Sequence, residues 1–275
     1  MSTLLLHPIT IRRIEYLFKS MPPNLLITGL PGAGKYSVAM HLALRSESIA
    51  NSSNILSFSE KPITIDNVRE IISFAKLKAS YKRFVIIEHA ESMTNEAQNA
   101  LLKIMEEPRE SFHILATSTR KEFMLPTVLS RMQELPILTP QVSQAVQFFK
   151  DTADEAQVRT LYLMSNGQPG LMTSLLHNND HYMYEYIDLA KTILKNNTYE
   201  RLKTSEQLIK NKTDITSLLY ALIITTKGAL HTSIMNNQDS YKSWQKIFKT
   251  VLRYSSIYQP AIQQKLFLSS LLLDL

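Results

Sequence analysis

LLITGLPGAGKYSVAMHLAL, running from Leu25 to Leu44, decides the fold. Its first four residues are a short apolar run, GLPGAGKYS from Gly29 to Ser37 is a glycine-rich turn, and SVAMHLAL opens an apolar helical pattern. Strand, glycine loop and helix in that order make a phosphate loop. The glycines let backbone N–H groups turn inward around an anion, the helix N-terminus adds the positive end of its dipole, and Lys35 is long enough to reach outer phosphates. Three of the chain's six glycines, Gly29, Gly32 and Gly34, sit in this loop, so a glycine-rich composition does not explain the match. Ser or Thr is expected directly after the lysine as a magnesium ligand. Tyr36 stands there instead, and Ser37 comes one place late. The reading is a cradle for ATP or ADP, built from Gly29, Gly32, Gly34, Lys35 and Ser37, with its magnesium ligand displaced.

Outward from the loop, FVII (Phe84 to Ile87) and FHILAT (Phe112 to Thr117) are further continuous apolar runs with helical patterns between them. Such alternation predicts an α/β domain, a parallel sheet covered by helices on both faces. After Pro136 and Pro140 the apolar strand runs stop, and helical pattern continues with breaks at Asn166 to Gly170, Asn178 to Asp180 and near Asn196. The second half is expected to be all-α.

The run FVIIEHAES places Glu88 and His89 at the end of a strand, where a nucleotide-hydrolysing site needs an Asp for magnesium and then a Glu to activate water. Glu88 is one methylene too long for the first task, and His89 has a different reach for the second, although an imidazole near neutrality can act as a base. Two readings stand: a degraded acidic site, or polar residues at an exposed strand end. Thr94 is expected to cap a helix with Glu96 in its first turn; Ala97, Leu101 and Ile104 form its apolar stripe, and Pro108 ends it.

MTNEAQNALLKIMEEPRESFHILATS, closed by LPTVLSRMQ, resembles the clamp-loader ATPases of the AAA+ class, notably the bacterial delta-prime and tau/gamma subunits of DNA polymerase III. NALLKIMEEP (Asn99 to Pro108) and LSRM (Leu129 to Met132) correspond to the family's NALLKxLEEP and SRC motifs; ITIDNVREI from Ile63 to Ile71 and the lid-like SNGQPGLM from Ser165 to Met172 add to the likeness. The resemblance spans roughly Pro23 to Gln133 and fades through the last ninety or so residues. It implies an α/β P-loop (AAA+) domain over 1–138, a small helical lid over 139–180 and an all-helical collar over 181–275. It also implies that Arg131 is a finger acting in trans on a neighbour's ATP, that Thr117 and Ser118 lie where a residue senses the terminal phosphate, and that Leu171 replaces a second sensing arginine. At 117 and 118 ordinary strand-end hydroxyls are the alternative, and at Arg131 a surface arginine in an ordinary salt bridge. Tyr36, the Glu88 and His89 pair, and Leu171 all weaken hydrolysis, and none touches Arg131.

A delta-prime-like subunit of a replicative clamp loader is therefore expected, with tau/gamma and delta subunits, a sliding clamp and primer-template DNA as partners. The alternatives are an active motor subunit, in which Ser37 and Glu88 still hold magnesium, and a DNA-binding module using Lys76, Lys78, Lys82 and Arg83. The family's zinc insertion is missing, the stretch from Ala50 to Pro62 being short and Ser-rich; with no cysteine in the chain, zinc and disulfides are not expected. A net charge of +6 suits contact with phosphate. There is neither an apolar run of about 18 residues nor a leader-like N-terminus, so a cytoplasmic protein with no membrane contact is expected.

Overall fold

Five parallel strands form one sheet in the order β2-β3-β4-β1-β5: β1 (Asn24–Thr28), β2 (Ile55–Phe58), β3 (Arg83–Ile87), β4 (Phe112–Ser118) and β5 (Gln133–Pro136). The computed structural model describes residues 4–46, 54–59, 62–76, 81–107, 111–177, 182–211, 213–236, 239–258 and 262–275. Two compact units divide the chain: residues 1–155 with 167–171, and residues 156–166 with 172–275.

In the first unit the strand pleat sorts the core onto two faces. Leu25 and Ile27 of β1, with Phe84, Ile86 and Leu115, pack under α1 (Pro8–Lys19) and α2 (Lys35–Arg45) through Ile14, Leu17, Val38 and Leu42. Leu26, Val85, Ile87, Ile114 and Ala116 face the other way, against Val68 and Ile71 of α3 (Ile65–Lys76) and Ala97, Leu101 and Met105 of α4 (Asn95–Glu106). Every residue of β4 is buried, which explains why it reads as an unbroken apolar run. The short α5 (Pro126–Leu129) precedes β5, and α6 (Val142–Phe149) follows it.

Central strands and the Thr94 cap lie where the sequence puts them; the Thr94 hydroxyl accepts from Ala97 N–H at 3.2 Å. Two strands do not. β2 lies inside the short Ser-rich stretch from Ala50 to Pro62, and β5 begins at the end of the LPTVLSRMQ motif. Both are sheet edges, half exposed, and so carry no continuous apolar run.

The second unit contains only helices among its described residues: most of α7 (Glu155–Met164) and α8 (Pro169–His177), then α9 (Tyr182–Lys195), α10 (Thr198–Lys210), α11 (Ile215–Met235), α12 (Tyr241–Ile257) and α13 (Gln264–Asp274). The breaks after Asn166 and near Asn196 are present, the latter as a capping box between Asn197 and Glu200; the break at Asn178 to Asp180 lies outside the described residues. Asp214 caps α11 by accepting from the N–H groups of Thr216 and Ser217. By length and composition alone α11 could cross a membrane, but Leu218, Ala221 and Leu222 are fully or almost fully buried, and the helix packs against α9 and α12.

Candidate functional site

Gly32 and Gly34 adopt φ of +75° and +79°, a left-handed conformation that side chains resist, and this turns the chain from β1 into α2. Gly29 N–H donates to Ser118 O at 3.3 Å, tying the loop's entry to the end of β4. The lid-like segment closes on the loop. Gly170 N–H donates to Gly32 O at 2.8 Å, and a Cβ at position 170 would lie 2.9 Å from that oxygen, so only glycine allows the approach. A Cβ on Gly32 would meet those of Gln168 and Leu171 at 3.3 Å. Leu171 thus packs beside the loop.

Lys35 is buried, and its ammonium donates to Gly29 O and Leu30 O, each at 2.9 Å, and to Thr119 Oγ1 at 3.0 Å. Tyr36 does not stand in for a magnesium ligand: its ring is partly buried against the core under α1 and α2. Ser37 is exposed. No group of three or more His, Asp or Glu side chains is arranged to hold a metal among the described residues. The two left-handed glycines and Lys35 have the form of an anion cradle, and the side chain after Lys35 is packed against the core.

At the end of β4, Thr117 and Ser118 are buried, and their hydroxyls accept from His89 N–H and Arg120 N–H, both at 3.2 Å. The hydroxyl that meets Lys35 is that of Thr119, one residue beyond. Thr119 N–H donates in turn to Glu91 Oε1 at 3.2 Å, while Glu91 Oε2 is buried with no hydrogen-bond partner. His89 has φ +55°, and its ring lies 3.9 Å from a Glu88 oxygen and 3.8 Å from a Glu91 oxygen, too far for hydrogen bonds. Sequence reasoning missed Thr119 and Glu91. The only available signal was a carboxylate four residues after β3 and a third hydroxyl in the run Thr117 to Thr119.

Arg131 occupies the turn after α5, away from that cluster. Its guanidinium donates to Glu106 Oε1 at 2.9 Å and Thr127 O at 3.0 Å, and 37% of the side chain remains exposed. The backbone beneath it is fixed by Asn24, a buried residue at the start of β1, whose Nδ2 donates to Arg131 O at 3.2 Å and to Met105 O at 3.3 Å. Met132 packs partly buried on the α3 and α4 side of the core. Of the basic cluster, Lys78 lies outside the described residues, and Arg83 is engaged by Phe74, donating to its carbonyl at 2.7 Å and lying 5.1 Å from its ring centroid.

The sheet order, the glycine loop between β1 and α2 and the helices on both faces define a P-loop protein of the AAA+ class. The same fold occurs in a DNA polymerase III gamma subunit-related protein from Thermotoga maritima, with TM-score 0.56, 20% identity and coverage of 96% of this chain and 97% of that one. The RuvB Holliday junction branch migration motor of Thermotoga maritima shares it at TM-score 0.51 and 15% identity, over 66% of this chain and 63% of that one.

Within that class, part of the chain is similar to DNA polymerase III clamp-loader subunits. The family model for the DNA polymerase III delta subunit matches residues 42–141. DNA polymerase III subunit delta' of Pseudomonas aeruginosa is 33% identical over 125 residues, 43% of this chain and 38% of the relative. The subunit delta' of Haemophilus influenzae is 30% identical over 139 residues, 49% and 41%. A replication factor C small subunit of Methanococcus maripaludis is 24% identical over 192 residues, 68% and 58%. The chain spans about two-fifths of the length of the two bacterial relatives it matches.

Proposed function

We propose that this chain is a delta-prime-like clamp-loader subunit that hydrolyses no nucleotide itself and presents Arg131 to the ATP bound by a neighbouring subunit. Its partners on this reading are tau/gamma and delta subunits in a hetero-oligomeric ring, a sliding clamp and primer-template DNA, in the cytoplasm. Residues 139–180 would act as lid and 181–275 as collar. Backbone N–H groups of the loop and Lys35 would hold the phosphates of ATP or ADP, with Thr119 fixing the ammonium. A bound nucleotide would bring the phosphate charge that this cradle neutralises. Without a hydroxyl after Lys35, and with Glu88 and His89 in the acidic positions, magnesium binding and water activation have no support.

The mounting of Arg131 carries this reading. A guanidinium that is part exposed, steered by Glu106 and Thr127 and anchored through Asn24 is ready to neutralise charge developing on a phosphoryl group supplied from outside the chain. Added to its motor partners with primed DNA, the chain is expected to raise their ATPase rate. Arg131→Ala should remove most of that gain while the assembly still elutes as one complex; an undiminished gain would sink the assignment.

An active motor is the second reading, favoured by Glu91, whose buried carboxylate reaches Lys35 through Thr119. Magnesium-dependent hydrolysis by the isolated chain, abolished by Lys35→Ala, would select it.

A further inference from the structure

Most helices of the second unit mix their charges. α9 sets Glu185 and Asp188 among Lys191 and Lys195, with Lys191 donating to Asp188 at 2.9 Å; α10 sets Glu200 and Glu206 among Arg201, Lys203 and Lys210. α12, YKSWQKIFKTVLRYSSI, carries Lys242, Lys246, Lys249 and Arg253 and no carboxylate at all. The spacing of these four residues, in steps of four, three and four, confines them to an arc of about 60° at 3.6 residues per turn. All four are exposed. Trp244, Ile247, Phe248, Val251 and Tyr254 occupy the opposite side, with Val251 and Tyr254 buried. The basic row therefore points straight away from the core. Arg253 is paired with Asp274 of α13 at 2.6 Å, whereas Lys242, Lys246 and Lys249 have no ion pair among the described residues.

We propose that this face of α12 docks on the sugar-phosphate backbone of DNA without reading its sequence. Three uncompensated ammonium groups and a guanidinium in one row, free of any carboxylate on their own helix, complement a polyanion. The row is about 16 Å long at 1.5 Å per residue. Duplex DNA presents about one charge per 1.7 Å of axis, so roughly ten phosphates lie along that length, and each lysine finds a partner in any register. Lysine suits the task, being a flexible point charge that follows phosphates without fixed geometry. A solvated face that serves only solubility does not need a single sign, and α9 and α10 show the mixed alternative. The inference stands on neither the phosphate loop nor Arg131, so either reading can fail without the other.

The test titrates the full-length chain against a fluorescent primer-template duplex between 50 and 200 mM salt, following anisotropy. The triple variant Lys242→Gln, Lys246→Gln, Lys249→Gln is expected to bind at least about tenfold more weakly at the lower salt and to lose about three units of the slope of log K against log salt. The matching triple Arg variant should retain both, and the triple Gln variant at Lys195, Lys203 and Lys210, which removes the same charge from α9 and α10, should change neither. Circular dichroism melting controls for folding. Unchanged affinity and slope in the α12 variant overturn the proposal. So does an equal loss in the α9 and α10 variant, which marks a net-charge effect, or α12-dependent binding of anionic phospholipid vesicles without binding of the duplex.

Discussion

The phosphate loop and the Arg131 turn lie in the same unit and have been treated differently. At the loop, the parts of a phosphate cradle are present: two left-handed glycines, the buried side chain of Lys35 and a helix N-terminus. On the proposed reading the side chains for magnesium and water activation are replaced, with Tyr36 partly buried against the core and Glu88 and His89 just after β3. At the Arg131 turn the side chains themselves are held, with a carboxylate and a carbonyl on the guanidinium and a buried amide under its backbone. Such a split separates holding a phosphate from acting on one. A loop can be kept as scaffold, whereas a long polar side chain held in one pose costs rotamer entropy and persists where the pose matters.

The largest expected effect tests that split directly. In the assembled loader Arg131→Ala should lower turnover at the neighbouring site by about 10³ to 10⁵, the range for arginine fingers, while Lys35→Ala leaves steady-state ATPase unchanged. A large loss from Lys35→Ala would mean that this chain's own loop is catalytic. Next comes the support beneath Arg131. Asn24→Ala leaves Met105 O and Arg131 O without their donor and should cost about 1–3 kcal/mol in denaturant unfolding, together with part of the ATPase stimulation. Full stimulation at reduced stability would show that Asn24 only holds the core.

On the loop side, Gly170→Ala drives a methyl against Gly32 O and should destabilise the first unit by about 1–3 kcal/mol, read by thermal melting. Tyr36→Thr restores a hydroxyl after Lys35 and should cost about 1–2 kcal/mol of packing; hydrolysis should not return, because the acidic pair remains replaced. Recovery of magnesium-dependent turnover in that variant would place the whole defect at one residue.

The smallest effect concerns Glu134, whose carboxyl is held below its ordinary value, chiefly by the hydrogen bond from Lys121 and further by Thr28, against an opposing push from burial. Because the folded value lies below the unfolded one, the contribution is present above the unfolded carboxylate range and is lost as pH falls through the folded value. Glu134→Gln should therefore flatten the acid side of the stability profile, by under about 1 kcal/mol for so exposed a pair.

How far the sequence reached follows from burial. β1, β3 and β4 lie inside the sheet, and their apolar runs announce them, whereas β2 and β5 are edges of four residues each, with ILSF and QELP half exposed. The loop was legible because its chemistry is contiguous in the chain. Thr119, Glu91 and Asn24 were not, since their roles arise only when the end of β4 meets the loop and when the start of β1 meets α4 and the Arg131 turn. Nor could sequence show that Gly170, the second glycine of SNGQPG, is matched to Gly32 in the phosphate loop. Position in space, absent from any spacing, decides all four.

That backbone contact gives the protein a built-in clock. The Gly170 amide proton is tied to Gly32 O with no side chain between them, so its exchange with solvent times how often the lid-like segment lifts from the loop. A ligand that tightens the loop would slow that one proton, and a ligand that pries the segment away would release it, which makes a single amide a label-free monitor of what enters the cradle.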